Sequence, residues 1–206
     1  MKDNPTRIFF VRHGVTAQTG KVLYGRTKGI DLNDEGIAQA KATAKYLSTI
    51  KFDAIVSSPL ERAFQTAQQI AALQDCDIEV NENVSDTDTG IWTGKTMEEA
   101  IKEKDWIQIT TKPSNYSFEG GESFKELFDR MEKSVNEIVE NNTGKIVAIV
   151  AHRDPIIILM AKYLDVHMDN FQKIPCGPAS ISIVNFTKGN TSVKGIGIVP
   201  SSRIME

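Results

Sequence analysis

The sequence predicts an α/β fold: a mainly parallel central sheet with helices on both faces and a small helical insertion. Three observations lead there. Short apolar runs alternate with longer stretches of helical periodicity, the order produced when strands are joined by crossover helices. Three of those runs are continuously apolar, as strands buried on both faces are. The helical stretches open on recognisable capping residues.

In chain order, Ile8-Phe9-Phe10-Val11 is the first buried strand. Asn33 is expected to cap a helix reaching about Leu47, and Ala54-Ile55-Val56 is the second strand. Ser58-Pro59-Leu60-Glu61 combines a capping serine, a proline at the first helical position and a capping-box glutamate. Ile78-Glu79-Val80 is a weaker strand candidate. Thr96 with Glu99 and Ser123 with Glu126 repeat the capping box. After Ser123, the residues Phe124, Leu127, Phe128, Met131, Val135, Ile138 and Val139 recur at helical spacing and form one apolar face. Ile146 to Val150 is the third buried strand, and Asp154-Pro155 opens a further helix. Ile181 to Phe186 alternates and is expected to be a more exposed strand.

The 206 residues suit one domain, 1–206, with a lid insertion around 81–121, where no core strand is evident. At 40% hydrophobic and 25% charged residues the composition is that of an ordinary globular chain. A formal net charge of -3 gives no ground for a nucleic-acid or anionic-membrane partner, so an anionic substrate would need a local cluster of positive charge. Cys76 and Cys176 lack metal-ligand spacing and are expected to be buried thiols. The N-terminus has no apolar signal region, and the longest apolar run, Pro155 to Ala161, is far too short to span a membrane. A cytoplasmic location is expected. Oligomeric state leaves no mark in the sequence.

Ligands of parallel sheets bind beyond the carboxyl ends of the strands. The first strand ends in Arg12-His13-Gly14, the second in Ser57-Ser58 with Arg62 shortly after, and the third in Ala151-His152-Arg153. A parallel sheet puts all of them on one edge. A cation in the first turn of a helix opposes the macrodipole, so Arg62 makes sense if it shares that terminus with a bound anion such as phosphate; the plainer alternative is a pair with Glu61 or exposure to solvent. Gly14 is expected to let the backbone approach a ligand closely. His167 lies in a polar loop and is assigned nothing. Hydrolysis of phosphate monoesters demands accelerations of up to roughly 10²¹-fold, of which proton transfer supplies about 10²–10⁴. The rest must come from positioning and charge stabilisation, which guanidinium groups provide. A histidine nucleophile divides the reaction through a covalent intermediate, and no metal is required if arginines carry the charge.

These segments resemble, in order and across most of the chain, the histidine phosphatase superfamily, which includes cofactor-dependent phosphoglycerate mutases. Val11-Arg12-His13-Gly14-Val15-Thr16 is similar to the R-H-G-x-T signature, and Tyr24-Gly25-Arg26 to Gly36 resembles the segment that follows it. Ser57 to Ala67, Gly90-Ile91-Trp92-Thr93-Gly94, Gly120-Gly121-Glu122-Ser123 and Ala151-His152 match the later blocks. The resemblance implies a phosphoglycerate mutase-like fold and His13 as the nucleophile. It also implies that Arg12, Arg62 and His152 bind and stabilise the phosphoryl group. Tyr24 and Gly25 are candidate substrate contacts. The general acid usually lies four residues before the first glycine of G-x-W-x-G as a glutamate. Here that position is Asp86, one methylene shorter, with Asp88 a second candidate.

Two other departures stand out. Thr19 occupies the place of an asparagine often found six residues after the nucleophile, and is expected to keep one hydrogen bond to phosphate. Arg153 replaces a small residue; it is either an exposed partner of Asp154 or a reader of a second anionic group on the substrate. The arginine-histidine-tyrosine-glycine block of the mutases is missing at Thr87-Asp88-Thr89-Gly90, and Val15 stands where mutases carry glutamate. The expectation is therefore a metal-independent phosphomonoesterase, needing no cofactor, for a small anionic phosphorylated metabolite. The alternatives are a mutase, which would need bisphosphoglycerate as primer, and a binding protein that has lost catalysis. Retention of Arg12, His13, Arg62 and His152 argues against the last.

Overall fold

The computed structural model describes residues 4–200. Six strands, β1 (Thr6–Arg12), β2 (Ala54–Ser57), β3 (Ile78–Val80), β4 (Ile146–Ala151), β5 (Ile181–Thr187) and β6 (Asn190–Ile198), form one sheet in the order β3-β2-β4-β1-β5-β6. The first four strands of that order run parallel, whereas β5 and β6 are antiparallel additions beside β1. The expected mainly parallel α/β sheet is what forms.

Continuous apolar strands are explained by two cores, one on each face. Ile8 and Phe10 of β1 and Val147 and Ile149 of β4 face α5 (Phe124–Asn141) and α6 (Arg153–Tyr163), meeting Leu127, Met131, Val135 and Ile156. Their neighbours Phe9, Val11, Ala148 and Val150 face the other way, toward Ala44 and Leu47 of α1 (Asp34–Leu47) and Ala63, Ala67 and Ile70 of α2 (Glu61–Ala71). Successive strand side chains point to opposite faces, so both parities must be apolar. Every residue from Pro155 to Ala161 in α6 is buried, which accounts for the unbroken apolar run. No helix among the described residues is long and apolar enough to cross a membrane.

The cap signals at Asn33, Thr96 and Ser123 hold, and those at Ser58 and Asp154 do not. Asn33 accepts from the Gly36 amide, and both Thr96–Glu99 and Ser123–Glu126 form complete capping boxes. Ser58 does not cap α2. That helix begins three residues later, at Glu61, after an extended Leu60 with no side-chain cap, and the buried Ser58 hydroxyl is directed instead to His152. α6 starts one residue earlier than expected, at Arg153. β5 is more buried than its alternation suggests, because the unforeseen strand β6 covers its outer edge. Cys176 is buried, but Cys76 only partly so.

Residues 81–121 contain two short helices, α3 (Met97–Lys102) and α4 (Trp106–Thr111), and three single 3₁₀ turns. This segment is clasped to the loop after β1: the Leu23 amide donates to Lys95 O at 2.9 Å and the Gly94 amide to Leu23 O at 2.7 Å.

Candidate active site

The carboxyl ends of β1, β2 and β4 are tied together by their own backbone. The His13 amide donates to Ala151 O and the Ser58 amide to Val150 O, both at 3.0 Å. This brings His13, Arg62 and His152 to one point, and all three are buried. The His13 and His152 rings lie 5.2 Å apart.

His13 Nδ1 is 2.7 Å from Gly14 O. A carbonyl can only accept, so Nδ1 carries the hydrogen and Nε2 keeps its lone pair in the neutral ring. Burial pushes the His13 pKa well below the usual histidine value, and His152, Arg12 and Arg62 add to the effect, against the opposing Gly14 bond. Burial also lowers His152, followed by the nearby charges of Arg62, Arg130, Arg12 and Arg26. Ser58 Oγ accepts from the Leu60 amide and lies 2.8 Å from His152 Nε2. When the Ser58 hydroxyl donates to that nitrogen, the imidazole proton sits on His152 Nδ1, on the side of the Asp86 carboxylate.

Arg62 neither reaches solvent nor pairs with Glu61. One terminal nitrogen donates to Gly25 O at 2.7 Å and to Asp86 Oδ2 at 3.0 Å, and the other to Thr27 O at 3.3 Å. The guanidinium lies over the Tyr24 ring, 4.6 Å from its centroid. Asp86 Oδ2 is also 3.4 Å from His152 Nδ1. The Asp86 carboxylate thus stands among the groups that would receive a phosphate. Arg12 Nε, Arg62 Nε and His152 Nδ1 are buried without a hydrogen-bond partner. Unpaired buried donors on residues beside His13 suit an anion, and of these three residues Arg12 lines the cavity.

A cavity of about 390 Å³ opens from His13 and is lined by Arg12, Tyr24, Gly25, Asp86 and Arg153 among others. The Gly25 carbonyl is taken by Arg62, and its φ of +43° with a Cβ position 2.7 Å from Thr89 Oγ1 excludes any side chain there. Thr19 does not line the cavity. Its hydroxyl accepts from the Thr16 amide at 2.9 Å and lies 3.4 Å from the Tyr24 hydroxyl, so it braces the loop beneath the tyrosine. Arg153 lines the cavity while donating to Asp154 at 2.7 Å and to Gln172 O at 3.0 Å. Asp88 Oδ1 accepts from the Gly90 amide and shapes the turn. His167 is exposed and accepts from the Asp169 amide. Gly14 admits the start of α1, since a Cβ there would fall 2.5 Å from Gly36 O.

Sequence reasoning missed the frame around Asp86. Arg130 donates to the carbonyls of Asn83, Ser85 and Asp86 and makes two bonds to the Glu122 carboxylate, at 2.8 and 2.7 Å. Arg26 donates to Asp86 O at 2.9 Å and to Glu122 at 3.1 Å. Glu122 in turn accepts from the Asp88 amide. The glycine blocks make this frame possible, since a Cβ at Gly90 would lie 2.0 Å from Glu119 O and one at Gly121 2.4 Å from Asp88 O. Among the described residues there is no group of three or more His, Cys, Asp or Glu that could hold a metal.

A profile of the histidine phosphatase superfamily (branch 1) matches residues 8–199. The chain belongs to the histidine phosphatase superfamily. Within it, the chain is 27% identical over 197 residues to phosphoserine phosphatase 1 of Hydrogenobacter thermophilus, covering 93% of this chain and 92% of that one. It is 33% identical over 202 residues to the bifunctional protein Rv2228c of Mycobacterium tuberculosis, and spans about half of that protein's length (54%). Among solved structures, the phosphoserine phosphatase of Entamoeba histolytica in complex with phosphoserine superposes with a TM-score of 0.84 at 26% identity, over 93% of this chain and 96% of that one. The same phosphatase in complex with 3-phosphoglyceric acid gives 0.82 over 98% and 100%.

Proposed function

We propose that this histidine phosphatase superfamily member is a metal-independent phosphomonoesterase for a small phosphorylated metabolite, acting through a phosphohistidine on His13. The observation that carries the reading is the state of His13: neutral, with Nδ1–H bonded to Gly14 O and Nε2 left as a lone pair beside two arginines. The relatives named phosphoserine phosphatase support hydrolysis of a small phosphate ester.

In this reading the reaction runs in two steps. His13 Nε2 attacks phosphorus as the bond to the ester oxygen breaks, and Asp86 passes to the departing alkoxide the proton that the ester brings when it binds as its monoanion. Arg12, Arg62 and His152 Nδ1–H hold the equatorial oxygens, where charge accumulates in the transition state. Asp86, now a carboxylate, takes a proton from water as that water attacks phosphorus. The N–P bond breaks, and phosphate and neutral His13 are restored. Residues 81–121 act as the lid that carries the acid.

Water as the final acceptor is tested with 3-phosphoglycerate. Release of inorganic phosphate without formation of 2-phosphoglycerate is expected, and interconversion of the two isomers without phosphate release would instead make the chain a mutase.

A further inference from the structure

Beyond the phosphate end, the wall of the cavity is apolar. Leu23, Met97, Trp106, Ile109, Phe118 and Phe124 line it. Phe118 and Phe124 belong to a chain of touching rings, with centroids 5.5 Å apart and Phe124 a further 5.2 Å from Phe171, so this wall is anchored in the core. Most polar side chains in the same chamber are occupied, but the buried Thr87 hydroxyl has no partner. Thr89 is paired with Thr93 at 2.8 Å, Thr110 with Trp106 O at 2.9 Å, and Gln172 Nε2 with Ile109 O at 3.1 Å.

Arg153 is the cation of this outer part, and its charge is already met by the Asp154 carboxylate, which also lines the cavity. A second anionic group on a substrate would have to displace Asp154 or accept its repulsion. An apolar body gains here without displacing any bond, because it removes its own surface and that of the wall from water. The volume of about 390 Å³ falls among pockets that enclose a whole small ligand rather than a phosphate alone.

We infer that the outer chamber selects phosphomonoesters whose alcohol carries an apolar or aromatic body, in preference to small esters bearing a second anion. This rests on the phosphatase reading above and names the substrate class for it.

The test is a series of straight-chain alkyl phosphates from ethyl to octyl, beside phosphoserine and 3-phosphoglycerate, with phosphate release measured. Primary alcohols of this series have nearly constant basicity, so the trend reports binding of the chain. The expected result is a rise in kcat/KM of about two- to fourfold per methylene until the chamber is filled, with hexyl phosphate ahead of phosphoserine. Trp106→Ala should flatten that slope. A flat series in the unaltered protein, an advantage of tenfold or more for phosphoserine or 3-phosphoglycerate over hexyl phosphate, or an unchanged slope in Trp106→Ala would overturn the inference while leaving phosphatase activity in place. Failure to hydrolyse any of these esters, with no phosphoenzyme formed, would remove the phosphatase reading and this inference with it.

Discussion

Replacing Asp86 by asparagine keeps the side-chain volume and the oxygen that accepts from the Thr87 amide at 3.0 Å, but removes the charge and the proton. Two effects of opposite sign should follow. For an ester of an ordinary alcohol, loss of the general acid lowers kcat by about 10²–10⁴-fold. For 4-nitrophenyl phosphate, whose leaving group departs without a proton, the loss should be below about tenfold. Phosphate affinity should move the other way. In the free protein Asp86 Oδ2 occupies Arg62 at 3.0 Å and stands 3.4 Å from His152 Nδ1, so an incoming phosphate competes with it. A hydrogen bond between charged groups contributes about 1.5–3 kcal/mol net, so relieving this competition should tighten inorganic phosphate binding by about tenfold or more. The assay pairs kcat on 3-phosphoglycerate and 4-nitrophenyl phosphate with the inhibition constant of phosphate. Equal losses on both esters, or weaker phosphate binding in Asp86→Asn, would refute the placement of Asp86 as both acid and resident anion.

Arg130→Gln should lower kcat about tenfold or more on alkyl esters and less on 4-nitrophenyl phosphate, because Arg130 holds the Asp86 backbone and touches no reacting atom; a uniform loss would contradict a positioning role. Gly90→Ala should lower the unfolding free energy by about 2 kcal/mol or more, read by chemical denaturation, since a Cβ meets Glu119 O at 2.0 Å and φ is +50°. The acid limb of kcat/KM should lie below the ordinary histidine value, because burial, then His152, Arg12 and Arg62, favour neutral His13. Stability follows the same sign: with the folded values of His13 and His152 depressed, it is complete above the unfolded value near 6.5 and declines as pH falls below it. An acid limb at 6.5 or above would contradict this.

Much of the fold was legible because apolar runs, caps and strand ends are local signals. Ile8 to Val11 and Ile146 to Val150 announced buried strands, and the capping boxes at Thr96 and Ser123 placed two helices. β6 was not legible: Gly195 and Gly197 interrupt its pattern, and its strand character comes from pairing with β5. The Ser58 signal misled because a buried histidine outcompeted the helix for its hydroxyl. Within the site, His13, Arg62 and His152 were readable from strand ends. Glu122 and Arg130 were not, since eight residues separate them and their common target is the backbone of a loop some forty residues away.

The central claim, that the phosphoryl group passes through His13, is tested most directly by trapping the enzyme with labelled substrate in alkaline quench, which preserves phosphohistidine, and locating the label by peptide mass spectrometry and phosphorus resonance. The structure predicts one phosphate per chain on His13, attached through Nε2 because Nδ1 is committed to Gly14 O. It also predicts no label in His13→Ala. Label on another residue, attachment through Nδ1, or turnover with no phosphoenzyme would contradict it.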